Sequence, residues 1–273
     1  MRSECFLLPS GLRVEMRGIT LAEENILASG GRSDDAEKLD RVFAACWKAT
    51  AAPGPYRTGA TEAPPWGDLL QCDRFVLMLA LRRLSYRDGH LFEVEVYHDE
   101  CDSRFQWEVD LAKDLPVRML DADAVERVRS GEPFEVTIAG RLVKYRLPTA
   151  RDLKLTERLQ AEFPDRMMAA TLRARLVEVE GVEPRDIMDW LDGANGASAK
   201  HPGLDADDAE DLRDAYDRVD GGIDTEVEVQ CRKPTCRKTF LFEIPFGQGF
   251  LLPSRGIRAR KRARLLGKGS SGD

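Results

Sequence analysis

The chain has 273 residues, and its 41 Lys or Arg against 48 Asp or Glu give a formal net charge of −7. Its apolar fraction of 42% is too high for a wholly disordered chain, and its length suffices for one large domain or two small ones. The longest nearly uncharged apolar run, Phe75–Leu81, is far shorter than the roughly 20 residues that cross a bilayer. Few apolar residues precede Pro9, which argues against a signal peptide. These features predict a cytoplasmic protein without membrane contact.

The charge is unevenly distributed along the chain. Asp273 is the only acid beyond Pro253, so 34 basic and 47 acidic residues remain in positions 1–254, a net charge of −13. Crowded like charges predict that the basic tail, residues 254–273, is disordered when free. Three roles remain open for it: binding nucleic-acid phosphates, docking on an acidic protein surface of this chain or of a partner, and solubilising the protein. Its basic residues are Arg255, Arg258, Arg260, Lys261, Arg262, Arg264 and Lys268.

The first third of the chain combines a hairpin with helices. Alternating apolar and polar residues over 6–19 predict a small β-hairpin. Thr20 followed by Glu23 has the spacing of a capping box, in which the two residues satisfy each other's backbone N–H groups at a helix start. Capping residues and helical spacing of apolar residues together predict three helices: Leu21–Ala28, Asp34–Thr50 and Trp66–Tyr86.

The remaining elements divide between strand and helix periods. Period-two alternation predicts three strand pairs: His90–Tyr97 with Phe105–Leu111, Phe134–Ala139 with Leu142–Leu147, and Thr225–Val229 with Phe240–Ile244. The pattern between the second and third pairs predicts four helices: Thr149–Phe163, Asp165–Val179, Pro184–Leu191 and Asp205–Val219.

The first and last of these strand pairs follow one plan. In each, an alternating strand leads to a His or Cys, a short turn supplies a Cys, and another alternating strand follows. His98 and Cys101 have two residues between them, and Cys231 and Cys236 have four, as in zinc knuckles that each supply two ligands to a tetrahedral site. The spacing predicts one structural zinc ion bound by these four side chains.

Other interpretations of the four residues stay open. Cys231 and Cys236 can be ordinary thiols at a hairpin tip, or the site can be a vestige that no longer holds metal. A catalytic zinc is disfavoured, because four protein ligands leave no position for a water molecule. Cys46 and Cys72 lie on predicted apolar helix faces and are expected to pack in the core, and Cys5 is expected to be a strand residue without chemical consequence.

The sequence lacks the common catalytic motifs. It has no Walker loop, no GxGxxG after a predicted strand, no GxSxG and no HExxH. His90 and His201 have no neighbours that mark them as bases. The acid-rich helix over 205–217 is interpreted as a solvated face, or as a surface that receives the basic tail or a basic partner. We therefore expect a protein that is not an enzyme and binds no small-molecule substrate.

Short motifs dispersed over residues 6–253 resemble those of a known family. They are the opening Leu8-Pro9-Ser10-Gly11-Leu12-Arg13-Val14-Glu15-Met16-Arg17-Gly18-Ile19-Thr20, then Asp68–Arg74, Phe105–Leu111, Gly222–Thr225 and Phe250–Pro253. On these motifs the chain resembles the baseplate hub assembly proteins of T-even-type phages, a family also found in contractile injection systems. In such proteins both knuckles are often Cys-x2-Cys, whereas here His98 replaces one Cys and the second turn is two residues longer.

The resemblance implies a non-enzymatic part in building the baseplate hub of a contractile tail. The protein would act as an assembly chaperone or minor component, with baseplate hub or tail proteins as partners. It would work in the cytoplasm or remain in the finished particle. Flanking genes for sheath, tube and spike proteins would support this expectation.

Taken together, the patterns predict an α+β fold. An N-terminal hairpin and helices (1–88) pack on a zinc-ribbon-like antiparallel β module that is discontinuous in sequence. Its two hairpins, 89–112 and 223–253, flank a mostly helical insertion over 113–222, and the basic tail follows at 254–273. A nucleic-acid-binding zinc-ribbon protein that uses this tail as its electrostatic arm is the alternative function. A metal-dependent hydrolase is the weakest rival, because it needs an open coordination position and a nearby base.

Overall fold

The computed structural model of the chain describes residues 3–29, 35–59, 61–193, 201–246 and 248–252. The strands in these ranges are β1 (Ser3–Leu7), β2 (Leu12–Arg17), β3 (Trp47–Pro53), β4 (Leu91–His98), β5 (Ser103–Asp110), β6 (Val117–Arg118), β7 (Phe134–Ile138), β8 (Arg141–Tyr145), β9 (Leu176–Val179), β10 (Gly222–Ile223), β11 (Glu226–Gln230) and β12 (Thr239–Glu243). The α-helices are α1 (Leu21–Ala28), α2 (Asp35–Cys46), α3 (Gln71–Ser85), α4 (Ala122–Ser130), α5 (Ala150–Glu162), α6 (Met167–Arg173), α7 (Ile187–Asp192), α8 (Ala206–Val219) and α9 (Gln248–Leu251). Within the described residues, no helix combines the length and apolarity that a bilayer crossing requires.

A first hydrophobic core unites the N-terminal elements with the first and last hairpins. β1, β2 and β3 form an antiparallel sheet with β2 in the middle, and Leu12, Val14 and Met16 point from β2 into the core. Helix α3 packs against β1 and β2 through buried residues that include Leu77 and Leu81. The hairpins β4–β5 and β11–β12 contribute their apolar faces to the same cluster.

A second core lies within the segment between those two hairpins. β7, β8 and β9 form an antiparallel sheet with β8 in the middle, α8 packs against β7, and α6 contacts α5 and α7. The rings of Tyr145 and Tyr216 lie 4.9 Å apart. Each hydroxyl donates to a buried backbone carbonyl, Tyr145 to Ala215 and Tyr216 to Leu172. The insertion thus has a packed interior of its own.

The two ends of the insertion meet. β6 and β10 pair antiparallel, Arg118 with Gly222 and Val117 with Ile223, soon after the first hairpin ends and just before the last begins. Gly222 has φ +107, and a Cβ built there would lie 3.1 Å from Cys72 Cβ, so both conformation and space favour glycine. Because β6 and β10 are adjacent, the hairpins that flank the insertion are brought to one side of the molecule.

Most predicted elements occur where the patterns placed them. The prediction of α1 is confirmed at both ends, and its capping box is present in full. The hairpins β1–β2, β4–β5, β7–β8 and β11–β12 are antiparallel as expected. Helix α4 was not predicted, although its N-cap Asp121 accepts a hydrogen bond from the backbone N–H of Ala124. Gly30 and Gly31, which follow the predicted helix Leu21–Ala28, the residues 194–200 and the basic tail lie outside the described residues.

Two predicted helices are wrong in their C-terminal parts. The helix predicted over Asp34–Thr50 ends at Cys46, and the chain continues as β3, which pairs with β2. The helix predicted over Asp165–Val179 ends at Arg173, and Leu176–Val179 forms β9 at the edge of β8. In both places the strand partner is distant in sequence. The helical spacing of nearby apolar residues therefore predicted a helix for residues that instead complete a sheet. β9 thus adds a third strand to the predicted hairpin of the insertion, whose described residues still contain more helix than strand.

The long predicted helix also begins later than Trp66. Trp66–Asp68 form a single 3-10 turn, and Leu69 and Leu70 are extended before α3 starts at Gln71. Leu70 forms a β-bridge with Thr149, which takes its backbone out of helical geometry.

Candidate metal centre

The strand registers explain why two of the candidate metal ligands, His98 and Cys231, face inward. In β4–β5, Val96 pairs with Phe105 and His98 with Ser103, so the histidine continues the apolar face of its strand. In β11–β12, Val229 pairs with Phe240, and Cys231 follows with the same parity. The period of two thus places the His98 imidazole on the inner side of the first turn and the Cys231 thiol on the inner side of the second.

Four donor atoms converge between the two turns. The ligand atoms of His98, Cys101, Cys231 and Cys236 all lie within 4.8 Å of one another. Cys101 Sγ is 3.6 Å from Cys231 Sγ, and His98 Nδ1 is 3.1 Å from Cys101 Sγ and 3.6 Å from Cys236 Sγ. A tetrahedral zinc ion with bonds of about 2.3 Å to sulfur and about 2.1 Å to nitrogen requires S–S distances of about 3.8 Å and N–S distances of about 3.6 Å. This cluster can therefore bind one metal ion.

The first turn holds its two ligands through burial and backbone geometry. His98 is only 3% exposed, and its ring stacks on Phe240 of the other hairpin with centroids 4.4 Å apart and planes 10° apart. Cys101 ends a short 3-10 turn, after which Asp102 adopts φ +49 and its N–H donates to Asp99 O. The imidazole orientation is thus set by a contact between the two hairpins.

The second turn holds its cysteines with backbone hydrogen bonds. The N–H of Cys231 donates to Lys238 O at 2.9 Å, and the N–H of Cys236 donates to Lys233 O at 2.9 Å. Arg237 adopts φ +50, which allows the longer Cys-x4-Cys turn to reverse and enter β12. The extra residues are accommodated in the turn, and both thiols still face His98 and Cys101.

A serine hydroxyl sits between two of the sulfur atoms. Ser103 Oγ lies 3.2 Å from Cys101 Sγ and 3.3 Å from Cys231 Sγ. Its hydrogen bond is the main cause that lowers the pKa of Cys231 to about 6. Hydrogen bonds from the backbone N–H of Lys233 and from the side chains of His98 and Cys101 lower this pKa further. The same hydroxyl acts to lower the pKa of Cys101, but burial and the other two thiols outweigh it and leave that pKa raised. Ser103 therefore favours the thiolate form of Cys231, the form that binds metal.

The two turns carry opposite charges, a signal that sequence reasoning missed. The charged residues of the first turn are Asp99, Glu100 and Asp102, and those of the second are Arg232, Lys233, Arg237 and Lys238. Lys238 forms an ion pair with Glu100, and Lys233 Nζ donates to Cys101 O at 2.8 Å. The Arg232 guanidinium lies 5.3 Å from the Trp107 ring centroid. Oppositely charged turns thus align the two hairpins, and the role of Ser103, two residues after Cys101, was also overlooked.

The remaining candidate residues lie apart from the cluster. Cys46 and Cys72 are buried, as predicted. Burial raises the pKa of Cys46 to about 12, and it also raises the pKa of Cys72 above its ordinary value. Cys5 is an exposed residue of β1. The acidic side chains of α8 are mostly exposed, as expected of a solvated face. The seven basic tail residues lie outside the described residues.

Comparison of the chain with protein-family models, with curated proteins and with solved structures finds no match in any of the three.

Proposed function

We propose that the cluster binds a structural zinc ion and that β4–β5 and β11–β12 form a zinc-ribbon-like module around it. Three thiolates and one imidazole are a donor set that zinc favours at structural sites. Because the protein supplies four ligands, no coordination position remains for a substrate or a reactive water. The convergence of four soft donors from two hairpins is the observation that carries this proposal.

The zinc ion would act as a cross-link between distant parts of the chain. Cys101 and Cys231 are separated by 130 positions, and the chain between them forms the insertion with its own core. On chain-entropy grounds a cross-link contributes more when it closes a longer loop, and metal binding to a site formed only on folding adds directly to folding stability.

We further propose that the protein is a non-enzymatic assembly chaperone or minor component of the baseplate hub of a contractile tail or contractile injection system. The proposal is supported by the motifs that resemble that family and by how they contact each other. Ser10 of the opening motif donates its N–H and its hydroxyl to the two carboxylate oxygens of Asp73, in the Asp68–Arg74 motif, at 3.0 and 2.6 Å. Both residues are fully buried. Two of the matching motifs are therefore joined by a buried hydrogen-bonded contact.

Two measurements test these proposals separately. Elemental analysis of purified protein should find one zinc per chain, and well under one zinc per chain would remove the metal proposal.

Co-purification from cells that assemble contractile tails should recover hub or tail proteins with the full chain. A version that lacks residues 254–273 shows whether the basic tail takes part, and failure of the full chain to recover any tail protein would contradict the assembly role.

The basic tail supports one alternative, a zinc-ribbon protein that binds nucleic acid. Its seven basic residues would release counterions on binding phosphates, so affinity would fall steeply with salt and vanish when residues 254–273 are deleted. Binding that is insensitive to salt, or that persists without the tail, would contradict this alternative.

A further inference from the structure

A cleft of about 570 Å³ is lined by none of the four candidate metal ligands. Its walls come from four places: the segment between β3 and α3, the end of α4 with the turn to β7, the connection from β8 to α5, and Val177 of β9. The volume falls within the range of about 300–1,000 Å³ that is usual for ligand sites.

The charge of the cleft is opposite to that of the rest of the protein. Four arginines line it (Arg57, Arg127, Arg129 and Arg146), against two carboxylates, Asp68 and Glu132. Residues 1–254 as a whole have a net charge of −13, whereas the residues that line the cleft include more basic than acidic side chains.

Three of the arginines are oriented by carboxylates beside the cleft but keep partly exposed side chains, and of these Arg129 forms an ion pair with Glu126 and remains 52% exposed. Arg127 Nε donates to Asp123 at 2.9 Å, and its side chain remains 35% exposed. Arg146 donates to Asp152 at 2.6 Å and remains 54% exposed. A guanidinium has five N–H groups, so each of these arginines retains N–H groups that can donate to a further carboxylate.

The cleft offers apolar contacts but no free aromatic face. Leu147 and the exposed side chain of Val177 line it. The Phe134 ring is covered by Tyr145 at 5.5 Å and by the Arg127 guanidinium at 5.7 Å. The Tyr56 hydroxyl is already bonded to Asp73. Nucleic-acid sites that bind single strands rely on aromatic side chains that bases can stack on, and the Phe134 ring is not available for that.

We propose that this cleft binds an extended acidic segment of a partner protein. Carboxylates of the segment pair with the arginines, and its apolar side chains contact Leu147 and Val177. The site is separate from the metal centre, and the proposal stands whether or not the protein acts in a contractile tail.

Fluorescence anisotropy with the full chain tests this proposal. The probe is a fluorescein-labelled synthetic peptide of alternating Glu and Val, compared with a Lys–Val peptide and an oligothymidylate. The double variant Arg57→Glu with Arg129→Glu should weaken binding of the Glu–Val peptide by about tenfold or more. The matched control, Arg104→Glu with Arg185→Glu, changes the net charge equally at exposed positions outside the cleft and should leave binding nearly unchanged. Circular dichroism confirms that both variants are folded.

Three results would overturn the proposal. One is absence of saturable binding of the Glu–Val peptide below about 1 mM. Another is an equal loss in both double variants, which would assign the attraction to overall charge. The third is tighter binding of the oligothymidylate that is lost with Arg57 and Arg129, which would make the cleft a nucleic-acid site.

Discussion

At the scale of single residues, Glu23 combines three roles in one carboxylate. It accepts hydrogen bonds from the N–H and the hydroxyl of Thr20, each at 2.7 Å, and forms an ion pair with Arg17 at 2.8 Å. The bond from Arg17 is the main reason that the pKa of Glu23 falls to about 2, and the bonds from Thr20 add to it. Because this pKa is lower in the folded state, the carboxylate stabilises the protein above the pKa of an unfolded Glu, near 4.5, and the contribution is lost as the pH falls towards 2.

Replacing this carboxylate by an amide should therefore have a pH-dependent effect. We expect Glu23→Gln to lower the free energy of unfolding by about 1–2 kcal/mol at pH 7, since the amide keeps part of the capping but loses the ion pair. The difference from the wild type should shrink between pH 4.5 and pH 2. Urea unfolding at a series of pH values measures it, with Glu4→Gln on the exposed edge of β1 as control. A difference that does not change with pH would contradict the role given to the charge.

The thiols of the metal centre allow a second test at this scale. Cys236→Ser should reduce the bound zinc and lower the free energy of unfolding by about 2 kcal/mol or more, because one of four ligands is lost. The control is Cys5→Ser, which alters an exposed thiol outside the cluster. Equal metal content and stability in both variants would show that Cys236 is an ordinary thiol.

At the scale of secondary-structure elements, Arg82 connects α3 with two other parts of the first core. Its side chain is 1% exposed. The guanidinium donates to the carbonyls of Phe250, Leu252 and Leu91, and lies 4.9 Å from the ring centroid of Phe92. One buried cation thus joins α3, α9 and the start of β4, and burial lowers its pKa.

Arg82→Met should detach the C-terminal end of the first core. Methionine fills much of the space but leaves the carbonyls without donors, so we expect the free energy of unfolding to fall by about 2–4 kcal/mol. Backbone amides of residues 248–252 should exchange with solvent faster in hydrogen-exchange measurements. Arg83→Met is the matched control, because Arg83 is the next residue on α3 and is exposed. Unchanged exchange at 248–252 in the Arg82 variant would show that apolar packing alone holds this segment.

At the scale of the whole molecule, the hairpins that carry the candidate metal ligands belong to one core and the insertion to another. β4–β5 and β11–β12 contribute to the first cluster of buried residues, whereas β7, β8 and β9 contribute to the second. The contacts between the cores include the β6–β10 pair and the start of α3. A cross-link in the first core should therefore affect the two cores unequally.

Removing the metal tests this expectation. Treatment with a strong chelator should lower the melting temperature and speed amide exchange in β4–β5 and β11–β12. The strands β7, β8 and β9 should keep most of their protection, because their packing does not involve the four ligands. Re-addition of zinc should reverse the effect. Uniform loss of protection would indicate that the two cores unfold as one unit, and no change at all would argue against a structural metal.

Patterns with a local cause were readable from the chain alone. The capping box of Thr20 and Glu23 depends on residues three positions apart, and the alternation that turns His98 and Cys231 inward depends on the strand period. The similar plan of the two hairpins was sufficient to name the four residues that the structure brings together. What local patterns could not supply was the pairing of β3 with β2 and of β9 with β8, since sheet partners lie far along the chain.

The same reasoning explains the site residues that were missed. Ser103 is an unremarkable serine until folding places its hydroxyl between two sulfur atoms of different hairpins. The arginine-lined cleft draws its walls from segments around positions 57, 129 and 146, which no short motif connects. Local geometry follows from neighbouring residues, whereas contacts across the fold depend on which surfaces are buried together, and that was decided only by the tertiary structure.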